Sequence, residues 1–146
     1  MSMTNTGYVL LADDNPTDAE LTTHALAVSG VSRNVVWVQD GQAALDYLMC
    51  KGAYAQRPPG LPRLMLLDLH MPKIDGLDVL TRIKNDPQLR PIPVVIMSSS
   101  DQESDMLRSY ECLANSYIVK PVDFRQFTEQ VSILGQYWMR VNRAMG

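Results

Sequence analysis

The sequence predicts an α/β domain, a doubly wound parallel sheet of five strands flanked by five helices. Three observations carry this. Five short apolar, β-branched runs recur along the chain, segments with helical start and stop signals separate them, and together they use up all 146 residues. Such alternation joins parallel strands by right-handed helical crossovers and so puts helices on both faces of one sheet.

The strand runs are Tyr8 to Ala12, Val35 to Val38, Leu64 to Leu67, Val94 to Met97 and Tyr117 to Val119. LMLL, at Leu64, is apolar at every position, the mark of a strand covered on both faces. Between the runs, Thr17 with Glu20 fits a capping box, and Ser29-Gly30 supplies a stop. Asp40 precedes GQAALDYLM, Asp75 precedes GLDVLTRIKN and Asp123 precedes the last helix, each placed as an N-cap. Ser100-Asp101 opens the helix that carries Met106, Leu107 and Tyr110. The segment from Gly52 to Arg63 holds three prolines and two glycines and reads as a surface loop, either a tolerated insertion or a partner contact.

Composition narrows the function classes. A chain of 146 residues, 46% hydrophobic and 20% charged, is expected to make one globular domain, 1–146, with no output domain after it. A net charge of -3 offers no field for nucleic acid. No apolar run approaches the ~18 residues of a membrane span, and the start, MSMTNTG, has no signal pattern. Cys50 and Cys112 form no CxxC pair and read as buried reduced thiols. A soluble, cytoplasmic protein is expected.

In an open parallel sheet, ligands bind beyond the carboxyl ends of the strands. This sequence places Asp13 and Asp14 after strand one, Asp68 after strand three, Ser98 after strand four and Lys120 after strand five. Three carboxylates on one edge repel, each pair by on the order of 4 kcal/mol at ~4 Å and an effective dielectric of about 20. Lys120 offsets part of this. A hard divalent cation offsets the rest, with Mg²⁺ the natural candidate and Mn²⁺ an alternative. Taken singly, each of these residues passes for a solvated loop or surface residue; the weight lies in their combination.

LLADDNPTDAEL, VQDGQAALDYL, LLDLHMPKIDGLDVLTRIK, PVVIMSSS and ANSYIVKPVDF, with 30 positions from Asp68 to Ser98 and 22 from Ser98 to Lys120, together resemble the receiver domain of two-component response regulators. The resemblance covers about residues 8–139. It implies the flavodoxin-like strand order 2-1-3-4-5. DNPTDAEL, GAYAQRPP, ANSYIVKPVDFRQF and LGQYW further resemble the single-domain regulators that partner bacterial phytochromes, known best from cyanobacteria.

Carried over position by position, the resemblance makes Asp68 the phosphoacceptor for a sensor histidine kinase, of phytochrome type on the narrower match. Asp13, Asp14, Asp68 and the backbone carbonyl of His70 hold the metal. Lys120 pairs with Asp68 and then with the phosphoryl group, and Ser98 donates to a phosphoryl oxygen. Movement of Ser98 makes room for the ring of Tyr117, the switch, and the Lys120–Pro121 bond admits a cis form. The side chain of His70 is either a spectator or, with Ser100, a control on the lifetime of the acyl phosphate.

Signalling is then by protein–protein interaction, and the protein is no enzyme beyond its own phosphorylation and dephosphorylation. In the last helix Phe124, Phe127, Val131, Leu134 and Trp138 form a core-facing stripe. Ile133 and Tyr137 lie off it as a second apolar edge, a candidate surface for a homodimer or partner. Two rivals stand beside this reading. One is a Mg²⁺-dependent phosphohydrolase with an aspartyl nucleophile, in which an acid usually stands where this chain has His70. The other is a receiver-like module that binds partners without phosphorylation, whose usual mark is loss of an acid or the lysine.

Overall fold

In the computed structural model the described residues are 7–28, 30, 34–121 and 123–143. Five strands, β1 (Val9–Ala12), β2 (Val35–Val38), β3 (Leu64–Leu67), β4 (Val94–Ser98) and β5 (Ser116–Val119), form one sheet. All pairings are parallel and the order is β2-β1-β3-β4-β5. The helices are α1 (Pro16–Val28), α2 (Gly41–Met49), α3 (Gly76–Asn85), α4 (Glu103–Glu111) and α5 (Phe124–Gln136). Every predicted strand is present, none displaced by more than one residue at an end.

Successive strand residues point to opposite faces, and both faces are covered. Leu10, Ala12, Met65, Leu67 and Ile96 pack with Leu45 and Leu48 of α2 and Leu80 and Ile83 of α3. Val9, Leu11, Leu64, Leu66 and Val95 pack with Leu26 of α1 and Phe127 and Val131 of α5. This double cover is why β1 and β3 are buried at every position.

The caps follow the sequence in three helices. Asp40 accepts from Ala43 N–H, Asp75 from Gly76 N–H and Asp123 from Arg125 N–H. Two helix starts differ from expectation. In α1 the capping side chain is Asn15, whose Oδ1 accepts from the N–H groups of Thr17 and Asp18 at 2.9 and 3.1 Å. Pro16 takes the first helical position, where its missing N–H costs nothing, so Thr17 lies inside the helix and the capping box does not form. Of the stop, Gly30 has φ +72°, whereas Ser29 lies outside the described residues. α4 starts at Glu103, later than Ser100-Asp101, because Ser100 Oγ accepts from Gln102 N–H and donates to Asp105, so the preceding residues form a side-chain-bonded turn.

Three further expectations are corrected. Phe124 is exposed and does not face the core; the buried row of α5 is Phe127, Val131 and Gly135, continuing to Met139 in a π-helical turn over Tyr137–Val141. Cys50 and Cys112 are free but only half-buried, at the C-caps of α2 and α4. Among the described residues no peptide bond is cis, so Lys120–Pro121 is trans.

The segment after α2 is tied down despite its prolines. Gly52–Tyr54 makes one 3-10 turn, and the Tyr54 ring meets that of Tyr47 edge-on at 5.1 Å. The Arg57 guanidinium lies 4.0 Å over the Tyr47 ring and its Nε donates to the Tyr47 carbonyl. Tyr8 donates its hydroxyl to the Gly60 carbonyl at 2.7 Å.

Candidate functional site

The carboxyl edge of the sheet collects the predicted residues because the strand ladders run one step past the strands. Asp13 N–H donates to Val38 at 3.1 Å, Asp68 N–H to Ala12 at 2.9 Å and Lys120 N–H to Ser98 at 2.7 Å. Each side chain thus starts from backbone held by a neighbouring strand. Asp13 is fixed most fully. Its carbonyl accepts from the Trp37 indole at 2.7 Å, and its Oδ1 accepts from Asn15 N–H at 2.9 Å, leaving Oδ2 for the site.

Behind Asp68 the turn into α3 closes tightly. Gly76 N–H donates to the Leu69 carbonyl at 2.8 Å, and a Cβ at Gly76 would stand 2.3 Å from the Asp68 carbonyl oxygen. Only glycine lets α3 begin this close to the Asp68 backbone.

Carboxylate oxygens of Asp13, Asp14 and Asp68 lie within 4.8 Å of one another. Lys120 Nζ stands 2.9 Å from Asp13, 3.0 Å from Asp18 and 3.5 Å from Asp68. Asp18 was absent from the expected set. It projects from the first turn of α1, and the signal was present in DDNPTD, where an acid follows Asp14 by four positions. Reading Thr17 as the cap concealed it.

Burial pushes the Asp68 carboxyl up, Lys120 opposes this and Asp13 adds to it, and the result is a pKa of about 6. For Lys120, burial works toward loss of the proton. The hydrogen bond to Asp13, the charges of Asp68 and Asp13 and the hydrogen bond to Asp18 outweigh it, so the pKa is raised and the ammonium is kept. Ionisation of Asp68 is therefore resisted by its burial and by the charge of Asp13.

Ser98 is buried, and its Oγ accepts from Ser100 N–H at 3.1 Å. Tyr117, half-buried, donates its hydroxyl to the Ser100 carbonyl at 2.9 Å. Ser98 and Tyr117 are thus joined through one residue. The His70 side chain is 67% exposed, with Nδ1 3.9 Å from Asp75. Ile133 and Tyr137 are exposed on the outer side of α5 and its π-helical end, and are not part of the acid cluster. An all-oxygen cluster of this kind suits a hard divalent cation, and a partly buried carboxylate beside it and an ammonium is placed to act as a nucleophile on an anionic group.

Comparison with known proteins gives the family and the fold. Residues 9–132 match the response regulator receiver domain. The chain is 39% identical over 138 residues to the probable methanogenesis regulatory protein FilR2 of Methanothrix harundinacea, covering 94% of this chain and 87% of that one. It is 35% identical over 131 residues to response regulator Rcp1 of Synechocystis, covering 90% and 88%. The solved Mn²⁺-bound form of Rcp1 superposes with a TM-score of 0.88 at 33% identity, covering 96% of this chain and 99% of that one. The phosphorylated cyanobacterial phytochrome response regulator RcpA superposes with a TM-score of 0.90 at 39% identity, covering 97% and 100%. Among the described residues no helix is long and apolar enough to cross a membrane. The chain belongs to the response regulator receiver domain family and is a phosphorylatable two-component regulator.

Proposed function

We propose that Asp68 is the phosphoacceptor, with Asp13, Asp14 and the His70 backbone carbonyl completing a Mg²⁺ site that also admits Mn²⁺. The observation that carries this is the meeting of three carboxylates within 4.8 Å with Lys120 among them. An Asp68 oxygen attacks the phosphorus of a kinase phosphohistidine. The P–N bond breaks, its electrons return to the imidazole, and an acyl phosphate forms. The cation supplies charge neutralisation for the phosphoryl oxygens. Lys120 neutralises the remaining charge from the β5 side, and Ser98 donates its hydroxyl to a phosphoryl oxygen. The protein turns over only its own phosphoryl group and acts in the cytoplasm.

Acetyl phosphate with Mg²⁺ tests the reading. One phosphoryl group should be added to the native chain and none to Asp68→Asn; no mass gain in folded native protein sinks it. The exposed His70 ring, where a hydrolase of this chemistry carries its acid, argues against turnover of foreign phosphomonoesters. Retention of every acid and the lysine argues against a module that works without phosphorylation.

The phosphodonor is a sensor histidine kinase, and its type is phytochrome-like on the strength of RcpA, which is described as a phytochrome response regulator. Phosphotransfer from a panel of kinases, with a bilin-binding one fastest, checks this. Output is by protein–protein interaction and involves no nucleic acid. Ile133 and Tyr137 present an apolar edge for a homodimer, whose concentration-dependent mass should vanish on Ile133→Glu with Tyr137→Glu. His70 is a spectator to the acyl phosphate and not a control on its lifetime. Since the His70 ring is outward and the Ser100 hydroxyl is spent on Asp105 at 2.6 Å, His70→Asn should decay at nearly the parent rate.

A further inference from the structure

We propose that Asp18 is a positioning residue for Lys120, holding the ammonium back from Asp68 until the phosphoryl group competes for it. This rests on the reading of Asp68 as phosphoacceptor. An ammonium has three donors and accepts nothing. Lys120 directs its donors to three carboxylates, with the short contacts, 2.9 and 3.0 Å, to Asp13 and Asp18 and the long one, 3.5 Å, to Asp68. The ammonium therefore stands nearer to two acids that react with nothing than to the one that reacts.

The two holders differ. Asp13 belongs to the acid cluster and would share its charge with a bound cation, loosening its grip on Lys120. Asp18 lies outside that cluster, among the described residues, so a cation held by the cluster would not draw on it directly. It is also held in place. Its N–H is bound by Asn15 Oδ1 at 3.1 Å, and its carboxylate stands in the first turn of α1, where the helix dipole favours a negative charge. Once the cation is bound, Asp18 is the fixed carboxylate that a phosphoryl oxygen must outcompete for a Lys120 donor. Its presence lowers the affinity of the site for a phosphoryl group and speeds return to the unphosphorylated state.

The test is beryllofluoride binding, a non-covalent phosphoryl mimic, at saturating Mg²⁺. Asp18→Asn and Asp18→Ser should bind it several-fold more tightly than the parent, while affinity for Mg²⁺ alone shifts by less. Asp78→Asn, which removes a carboxylate from the first turn of α3 without touching Lys120, is the charge control and should stay within about twofold of the parent. An equal gain in Asp78→Asn would assign the effect to net charge and overturn the proposal, as would unchanged affinity in folded Asp18 variants. Loss of folding in both neutral variants would make Asp18 a structural tie and overturn it too. A parent that binds no beryllofluoride at all would instead sink the phosphoacceptor reading.

Discussion

Lys120 and Asp13, 107 positions apart in the chain, meet at 2.9 Å with both side chains almost wholly enclosed. The pair ties the end of β5 to the end of β1 at the carboxyl edge of the sheet.

Removing the ammonium should expose how much the acids repel. Breaking an enclosed ion pair from one side typically costs about 3–5 kcal/mol, and Asp68 and Asp18 would lose the same partner. Lys120→Met should lose at least the lower end of that range in EDTA, by denaturant unfolding. Mg²⁺ should restore more stability to the variant than it adds to the parent. Equal Mg²⁺ effects on both would mean that Lys120 does not neutralise the acid cluster.

The raised pKa of Asp68 gives the metal-free protein a signed pH dependence. The folded chain holds this proton up to about pH 6, whereas an unfolded aspartate releases it near 3.8. The stabilisation from the protonated form is full below about pH 4 and is lost as pH rises through about 6. With roughly 1.4 kcal/mol per unit, the loss is on the order of 2–3 kcal/mol. In EDTA, parent stability relative to Asp68→Asn should decline over that window. Parallel profiles would show that Asp68 titrates normally.

Gly76 should tolerate no side chain. A Cβ there meets the Asp68 carbonyl oxygen at 2.3 Å and the Leu69 carbonyl oxygen at 2.7 Å, both backbone atoms that cannot swing aside. Gly76→Ala should cost at least about 1–3 kcal/mol, the usual range for overpacking, and should slow labelling by acetyl phosphate because the Asp68 backbone shifts. Unchanged stability and labelling would show that the turn into α3 has slack.

Trp37 should report metal binding. Its indole donates to the Asp13 carbonyl at 2.7 Å, so a cation pulling on Asp13 alters the environment of the ring. Mg²⁺ should change the tryptophan emission of the native chain, and Trp37→Phe, which leaves Trp138, should abolish the change. A persistent signal in that variant would place its origin elsewhere.

Much of this was legible in the sequence, for physical reasons. Buried parallel strands are read from short apolar runs, and residues just past them share an edge by topology alone, so Asp13, Asp14, Asp68, Ser98 and Lys120 could be grouped before any coordinates. What was hidden depends on three-dimensional closeness. Asp18 reaches Lys120 only because Asn15, and not Thr17, caps α1, a choice between two good capping residues. Phe124 sits on the expected stripe of α5 but ahead of the point where the helix meets the sheet. The tethering of the proline-rich loop by Tyr8, Tyr47 and Arg57 has no periodic signature at all.

The side chains of Ser98 and Tyr117 both bond to the main chain of Ser100, one to its N–H and the other to its carbonyl. A message passed this way is written in peptide groups and not in side chains. Evolution can then replace the residue at position 100 with almost any other without breaking the line, but not with proline, which has no N–H to offer. Tuning of lifetime and transmission of state can diverge at this one position, the first following the side chain and the second the backbone.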